Sequence, residues 1–543
     1  MKTYLTIFFI LLIFVSCEDL EITPSDRISD KAVWDKPETA NLFLNDIYYS
    51  LNAGPWITTW TNLPSEISND PLSNLTDNST YGPLGTSSQK LFDNGSYDPS
   101  NPLFSNQWKN MYANIRKCNL FIEKVTASEF DDNTKKGMIA QARFLRVYFY
   151  RQLIDLYGGV PLITKVLNNS AEGEDIFYPR NTYEECVSFI QSECADAAAD
   201  LPVTLTQSNF GRATKGAALA MRGEEELYAG KWAEAAATHK QIMDLNVYSL
   251  FPDYAGLFYA NNENNQEVIF DIQFAPELRR KQINQYWGVP IIQKGAGWGG
   301  CDPTQNLVDC YEFKDGKTEA EGSILFDPQN PYKNRDSRFY ASIIYDGSVW
   351  RGETIYTRLG IPNNFNEINI VGKGGNAGRT GYFMKKLQDS TIYSTNSNLD
   401  GANVIISRYG EVLLNYAEAQ NEVNGPDQSV YDAINAIRTR AGQPDLPAGL
   451  TQDEMRNQIR KERRVELAFE GKYFYDILRW RTAEQIFSQP IYGMKITEEN
   501  GNLVYEKIPV RSVEFDPAKN YLMPIPQYAM DKNPELTQNP GYE

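Results

Sequence analysis

The chain has 543 residues, of which 42% are hydrophobic and 22% are charged, so it is long enough for several domain-sized cores and too apolar to be disordered. Its 70 acidic residues outnumber its 52 basic residues, and the formal net charge of −18 disfavours nucleic acid as a partner. The single histidine, His239, excludes histidine-rich metal sites and leaves only one residue for any mechanism that needs an imidazole.

The first residues predict an export signal that ends in a lipid-attachment site. An apolar run over residues 4–15 is too short to span a bilayer and is typical of a signal peptide. It leads into FVSC at residues 14–17, which resembles a bacterial lipobox, where the cysteine becomes the acylated first residue of the mature protein. We therefore predict a lipoprotein signal peptide over residues 1–16 and lipidation of Cys17, with a plain secretory signal as the alternative.

The residues after the lipobox indicate where the protein is anchored. Residues 18–21 (EDLE) are acidic and resemble the tag that directs some lipoproteins to the outer face of the outer membrane. No later apolar run is long enough for a membrane span, so we expect attachment through lipid alone. The predicted location is the outer membrane, facing the cell exterior.

The cysteine pattern predicts no metal site, and we assign no cofactor and no metal ligand. Five cysteines follow Cys17, an odd number that cannot pair completely within one chain, and none of them has CxxC spacing. Cys301 and Cys310 flank a loop and can form a disulfide, with small buried thiols as the alternative.

Two stretches have the tetratricopeptide pattern of paired helices. Residues 217–245 combine a helix of small residues, a turn at Gly230 and a second, alanine-lined helix. A similar unit starts at Tyr409, and the apolar stripe of its partner helix consists of Val430, Ala433, Ile434 and Ile437. An earlier helix is predicted to stop at Gly158. These patterns favour a mainly α fold on a helical-repeat scaffold, with repeats mainly in residues 30–54, 105–245 and 405–480.

Two irregular insertions, residues 55–104 and 250–400, interrupt the helical pattern. They are rich in Asn, Gly, Pro, Asp and aromatic residues, with short strand-like runs such as residues 268–272. Loops of this length are usually functional or disordered, and their aromatic content argues against disorder. We therefore expect the insertions to form the ligand side of the molecule.

Several charged or glycine-rich motifs are interpreted as structural. Residues 460–464 look like a basic patch, but interleaved glutamates favour a solvated, charge-paired helix. The adjacent glutamates at 224–226 are expected to face water, and His239 to be structural or exposed. The sequence GKGGNAG at 372–378 lacks the strand and helix that flank a phosphate-binding loop, so it is predicted to be a flexible loop.

Seven stretches, in order behind the lipobox, resemble the SusD/RagB family of outer-membrane nutrient-binding lipoproteins over essentially the whole mature chain. They are FLRVYFY leading to YGGVPL (144–162), PRNTYEE (179–185), GRATKGAA (211–218), RDSRF (335–339), LNYAEA (414–419), IRKERRVELAFEG (459–471) and LTQNPGY (536–542). The resemblance implies one domain over residues 17–543, with about four tetratricopeptide-like helix pairs and a loop-rich remainder carrying short strands. It also implies binding of oligosaccharides at the cell surface, no chemistry, and a position as a lid on a SusC-like TonB-dependent transporter.

The same resemblance implies that an acidic residue of the first insertion and aromatic residues of both insertions meet at the ligand. Asp70 matches the acidic position and is our candidate acceptor for a sugar hydroxyl. Sugar rings stack their apolar face on Trp or Tyr, and the candidate stacking rings are Tyr81, Trp287, Trp298 and Trp350, with Trp298 and Trp350 preferred. The alternative is that each ring is a packing anchor. The first insertion lacks the arginine that the founding starch binder uses, which argues against starch.

Three questions about function stay open at this point. The acidic surface favours a neutral glycan, but Arg379, Lys385 and Lys386 near the glycine-rich loop offer a local basic pocket as the alternative. A lipid-anchored glycosidase with paired carboxylates is the first alternative function, and the scarcity of histidine counts against it. A helical-repeat scaffold for protein partners without a small ligand is the second, and the aromatic insertions count against that.

Overall fold

The computed structural model describes residues 30–51, 56–57, 70–82, 87–104, 106–168, 176–276, 278, 283–290, 297–368, 378–392 and 401–543. The predicted signal peptide, Cys17 and most of the glycine-rich loop at 372–378 lie outside the described residues. Among the helices that these residues form, none combines the length and the hydropathy that a membrane span requires.

The fold is mainly helical with short strands, as the sequence predicts. The N-terminal helices are α1 (Asp30–Trp34), α2 (Pro37–Tyr49), α3 (Ser87–Asp93), α4 (Gln107–Ala127), α5 (Asp132–Tyr157), α6 (Tyr183–Asp200), α7 (Lys215–Tyr228) and α8 (Trp232–Asp244). The later helices are α9 (Ile283–Tyr286), α10 (Gln305–Val308), α11 (Ser337–Ser342), α12 (Tyr409–Asn424), α13 (Gln428–Arg440), α14 (Gln452–Glu466), α15 (Lys472–Arg479), α16 (Ala483–Phe487) and α17 (Gln527–Lys532). Short 3₁₀ turns lie at Leu72–Leu75, Gln207–Asn209, Gly256–Phe258 and Ala260–Asn262.

The long helices form a continuous row. From α4 to α8, each helix packs against the next one in sequence. The row continues beyond α8, because α8 packs against α12, and α12 packs against both α13 and α14. The chain between α8 and α12 therefore leaves the helical row between two neighbouring helices and returns to it.

Local sequence explains where the helices begin and end. The Thr182 hydroxyl accepts a hydrogen bond from the Glu185 N–H in the first turn of α6, and the Thr182 N–H donates in return to the Glu185 carboxylate. Two backbone N–H groups at the helix start are thereby satisfied. Helix α5 ends before Gly158, whose φ of 74° lies in the left-handed region that glycine adopts without strain. The helix stop predicted at Gly158 is thus confirmed.

The strands pair into two-stranded antiparallel ladders. The pairs are β1 (Trp56–Ile57) with β2 (Asp70–Pro71), β3 (Ser79–Thr80) with β5 (Asp302–Pro303), β4 (Val268–Ile272) with β10 (Val404–Arg408), β6 (Ile343–Ile344) with β9 (Phe383–Met384), β7 (Ser348–Trp350) with β8 (Glu353–Ile355), and β11 (Ile491–Glu499) with β12 (Asn502–Arg511). The β4–β10 ladder closes the long segment between α8 and α12. The β3–β5 ladder joins the first irregular insertion (residues 55–104) to the second (residues 250–400). These insertions are called the two irregular regions, and the candidate ligand-binding site lies where they meet.

The three adjacent glutamates of α7 are buried, so the expectation that they face water is wrong. Arg151 of α5 reaches two of them, with its Nη1 2.9 Å from Glu224 and its Nε 3.0 Å from Glu225. Arg222, one turn earlier on α7, places its Nε 2.7 Å from Glu226. Because a buried carboxylate is costly unless it is paired, these arginines are what allows the run to be buried.

The C-terminal part of helix α14 is also largely buried, so its interpretation as solvated is wrong there, whereas the predicted charge pairing is present. Glu466 is fully buried at the end of this helix. Its partners are Arg338 of α11, Arg408 of β10 and Arg440 of α13, at N–O distances of 3.1, 2.7 and 2.5 Å. Arg463 is fully buried as well, with its Nε 2.7 Å from the Asp476 carboxylate. The charges pair across elements that are far apart in sequence.

His239 is structural. It is buried on α8, with its Nδ1 2.8 Å from the Ala235 carbonyl oxygen and its Nε2 3.1 Å from the Asn415 amide nitrogen. Burial lowers the pKa of His239 to about 4, so the imidazole is neutral at pH 7.

Cys301 and Cys310 are both free thiols, so the disulfide considered for them is not formed.

Candidate ligand-binding site

Backbone hydrogen bonds bring three segments of the two irregular regions together. The β3–β5 ladder pairs Ser79 with Pro303 and Thr80 with Asp302. Beyond the ladder, the Gly82 N–H donates to the Gly299 carbonyl oxygen at 3.1 Å. The third segment joins through the Gly299 and Gly300 N–H groups, which donate to the carbonyl oxygens of Gly288 and Tyr286 at 3.0 and 2.8 Å.

The close approach of these segments requires glycine at several positions. A Cβ at Gly82 would lie 2.9 Å from the Gly299 carbonyl oxygen, which is nearer than real Cβ contacts allow. A Cβ at Gly300 would collide with the Tyr286 carbonyl oxygen and lie 3.0 Å from the Tyr81 ring. The glycines therefore let the rings of the two regions lie in one place.

Three aromatic side chains at this junction are at least partly open to solvent. Trp298 is 37% exposed, and its ring centroid lies 4.7 Å from that of Tyr286 at an interplanar angle of 57°. Tyr286 and Tyr81 are half-buried, and the Tyr81 ring lies beside Gly300. We call Tyr81, Tyr286 and Trp298 the aromatic cluster. Tyr286 was not among the predicted stacking rings, although its position next to Trp287 in an aromatic pair was a signal.

The structure places two other predicted stacking rings in the interior. Trp287 is 1% exposed. Trp350 is 2% exposed and belongs to a small apolar core whose other members are Val289, Ile344, Ile355 and Phe383. A ring without an open face cannot stack on a sugar, so neither residue is assigned a stacking role here; both act as packing anchors.

Asp70 lies at the entry to the segment that carries Tyr81. Its backbone pairs with Ile57 in the β1–β2 ladder, and its side chain lies outside the part of the structure that is described. Its role as hydroxyl acceptor stays a prediction.

Asn74, a few residues further on, is buried and donates from its Nδ2 to the Gly300 carbonyl oxygen at 2.9 Å. This second tie between the two regions was not foreseen from the sequence.

The segment before Tyr81 is anchored on the helical and β-hairpin parts of the fold. Arg464 of α14 contacts Asp77 at 2.8 Å, and Thr304 donates from its Oγ1 to the Asp77 carbonyl oxygen at 2.5 Å. Arg511 of β12 donates to the carbonyl oxygens of Thr76 and Ser79 at 2.8 and 3.1 Å. These arginines fix the segment that leads to Tyr81, one ring of the aromatic cluster.

The three cations considered as a basic pocket are already engaged. Lys386 is buried, with its Nζ 2.7 Å from Glu470, and burial lowers the pKa of this lysine to about 8. Lys385 donates to the Tyr340 carbonyl oxygen at 2.8 Å, and Arg379 to that of Val510 at 3.0 Å. They therefore do not form an open basic pocket.

Within the described residues, no group of three or more His, Cys, Asp or Glu side chains is arranged to hold a metal ion.

The comparisons with known proteins agree with this architecture. The SusD family model matches residues 266–542, and a second model, described as starch-binding associating with outer membrane, matches residues 43–223. SusD-like protein P2 of Formosa agariphila is 26% identical over the whole length of both chains.

Two solved structures from Bacteroides fragilis are similar in sequence and in fold. A SusD-like protein is 28% identical with a TM-score of 0.81, covering 96% of this chain and 100% of that chain. A SusD-like carbohydrate binding protein is also 28% identical with a TM-score of 0.81, covering 93% of this chain and 99% of that chain. With a family model that spans half of its residues, the chain belongs to the SusD family.

Proposed function

We propose that the chain is a lipid-anchored protein of the outer membrane that binds an oligosaccharide at the cell surface and performs no chemistry on it. The observation that carries this proposal is the exposed Trp298 ring beside Tyr286, on a junction that glycines and a β-ladder hold in place. A rigid ring pair that faces solvent suits the apolar face of a sugar, because stacking there costs little conformational entropy.

The family relationship supports a glycan as the ligand. One matching model describes starch binding in association with the outer membrane, and one similar structure is a carbohydrate binding protein. The net charge of −18 favours a neutral oligosaccharide over an anionic one at the aromatic cluster. Asp70 is proposed to accept a hydrogen bond from a sugar hydroxyl, since the segment that it begins leads directly to Tyr81.

The first residues of the sequence support a proposal for anchoring and for transport. We propose that residues 1–16 are removed, that Cys17 carries the lipid, and that residues 17–543 form one domain outside the cell. A tethered binder needs a separate channel to move its ligand inward, so we propose delivery to a SusC-like TonB-dependent transporter. Affinity purification of the tagged protein from outer membranes is expected to recover a β-barrel subunit with it; recovery of the chain by itself in several mild detergents would contradict this step.

Calorimetry against a panel of oligosaccharides tests the binding step. The variant Trp298→Ala is expected to bind the glycan that the wild-type protein binds about tenfold more weakly. The reason is that one aromatic contact contributes about 1–1.5 kcal/mol to the free energy of binding. Trp232→Ala on α8 is the control, since this ring packs in the helical row and is expected to leave affinity unchanged.

Incubation of the protein with the same oligosaccharide panel separates the three candidate functions, which are a glycan-binding protein, a glycosidase and a protein-binding scaffold. Retention of a glycan without release of reducing ends supports a binding protein, whereas new reducing ends would identify a glycosidase. Unchanged glycan affinity in Trp298→Ala with the fold intact would place the binding site elsewhere. If the protein retains no glycan at all, the protein-binding scaffold is the remaining candidate function.

A further inference from the structure

A pocket lies at the start of helix α4, where this helix meets residues 161–163, residues 176–178 and the C-terminal helix α17. We call it the α4 pocket. Its volume of about 570 Å³ falls within the range of about 300–1,000 Å³ that is typical of small-molecule sites. None of the residues of the aromatic cluster lines it, so the two sites are separate.

Hydrogen bonds between segments that are distant in sequence connect the walls of the α4 pocket. The backbone N–H of Lys109 donates to the Tyr528 hydroxyl at 3.1 Å, which ties α4 to α17. The Asn533 side-chain amide donates to the Tyr178 carbonyl oxygen at 2.9 Å, which ties the end of α17 to residues 176–178. A pocket that exists before the ligand arrives loses less conformational entropy on binding.

The back wall is fixed in the same way by residues of the helical row. Tyr112 donates from its hydroxyl to the Pro161 carbonyl oxygen at 2.9 Å. Asn119 donates from its Nδ2 to the carbonyl oxygens of Ile163 and Lys165 at 2.9 and 3.1 Å. Residues 161–165 are thus attached to α4 at three carbonyl oxygens.

The lining combines aromatic rings with cations. The rings are Trp108, Tyr112, Tyr178 and Tyr528, of which the three tyrosines are half-buried. Lys109 and Lys532 also line the pocket and are exposed, and in the described part of the chain neither has a carboxylate within 4.0 Å. Two such ammonium groups at one pocket give it a local charge opposite to that of the acidic chain.

We propose that the α4 pocket binds an acidic sugar residue, either a uronic acid or a sulfated hexose. The tyrosine rings accept the apolar face of the sugar, and the two ammonium groups of Lys109 and Lys532 accept its carboxylate or sulfate. The proposal is independent of the proposed function, because it needs neither lipidation, nor a transporter, nor a ligand on the aromatic cluster.

Calorimetry with the full chain in a mild detergent at low salt tests the proposal. The probes are digalacturonic acid, galactose 6-sulfate, neutral digalactose and inorganic sulfate. One or both acidic sugars are expected to bind at least tenfold more tightly than digalactose and sulfate, and to lose affinity as NaCl is raised. Equal binding of acidic and neutral sugars, equal binding of sulfate by itself, or no binding of either acidic sugar would overturn the proposal.

A charge-matched pair of variants locates the binding. The double variant Lys109→Gln with Lys532→Gln is expected to weaken binding of the acidic sugar about tenfold, because each exposed ion pair contributes up to about 1 kcal/mol. The control Lys240→Gln with Lys333→Gln removes the same charge outside the pocket lining and is expected to stay within about twofold of wild type. Equal weakening in both variants would show an effect of net charge and overturn the assignment. Trp298→Ala is expected to leave this binding unchanged, which separates the α4 pocket from the aromatic cluster.

Discussion

Arg464 of helix α14 holds Asp77, which lies in the segment that leads to Tyr81, with an Nη2–Oδ2 distance of 2.8 Å. Its Nε also donates to the Asn78 side-chain oxygen at 2.7 Å. The two side chains of the ion pair are largely buried, so the attraction is little screened by solvent. Through this contact the helical scaffold sets the position of a ring in the candidate site.

Removing Arg464 is therefore expected to affect both stability and binding. Arg464→Ala leaves Asp77 buried without its charge partner, which typically lowers the free energy of unfolding by about 3–5 kcal/mol. Denaturant titration measures this loss, and calorimetry is expected to show weaker oligosaccharide binding. Arg456→Ala on the same helix is the control, because this partly exposed arginine pairs with Glu422 and is expected to change stability by about 1 kcal/mol or less. Equal binding in both variants would contradict the positioning role.

Trp350 and Trp298 are expected to respond in opposite ways to substitution. Trp350→Phe makes a smaller ring in a buried apolar core, so it is expected to lower the free energy of unfolding by about 1–3 kcal/mol and leave glycan affinity unchanged. Trp298→Phe changes a ring that is 37% exposed and is expected to alter affinity more than stability. Thermal unfolding and calorimetry on both variants check the pair; a loss of affinity confined to Trp350→Phe would return this residue to the ligand site.

Gly300→Ala tests the close approach of the two irregular regions. The added methyl group would collide with the Tyr286 carbonyl oxygen, so we expect a destabilisation of about 1–3 kcal/mol and a loss of glycan binding. Gly137→Ala is the matched control, because nothing lies within 4 Å of the added Cβ on helix α5 and alanine stabilises a helix by about 0.5–1 kcal/mol. Normal affinity in Gly300→Ala, measured by calorimetry, would show that the junction does not shape the site.

His239 is expected to make stability depend on pH. Its pKa is about 4 in the folded protein and about 6.5 in an unfolded chain, so between these values the unfolded state binds more protons. The contribution of the neutral His239 side chain to the free energy of unfolding is complete above pH 6.5. It falls by up to about 3 kcal/mol as the pH falls towards 4. Urea titrations of wild type and His239→Gln at several pH values isolate this contribution from that of the carboxylates. A difference between the two proteins that does not change with pH would contradict a neutral, buried imidazole.

Cys17→Ala is expected to release the mature chain from the membrane fraction. A thioether-linked diacylglycerol and an amide-linked chain together give more than one acyl anchor, which stable attachment requires. Cell fractionation followed by immunoblotting measures the release, with Cys301→Ala as the control because that thiol is buried within the fold. Retention of Cys17→Ala in the membrane would show that the lipobox is not used.

Local signals in the sequence were sufficient for the helical framework. The Thr182 capping box and the stop at Gly158 depend on residues within a few positions of each helix end, so their geometry follows from nearby atoms. The burial of the glutamates at 224–226 was not predictable in this way. Arg151, which pairs with two of them, comes from another helix, and a run of acidic residues has the same local pattern whether it faces water or an arginine.

The aromatic residues show most directly what the sequence determined and what it left to the tertiary structure. Trp298 and Trp350 both lie in the second irregular region, with glycine and polar neighbours, and the composition of the region predicted a site rich in rings. Which ring stays open to solvent depends on which segments fold over it. The core around Trp350 includes Val289 and Phe383, whereas Trp298 lies against Tyr286 at the surface. Burial is a sum over contacts with distant residues, and no local pattern encodes that sum.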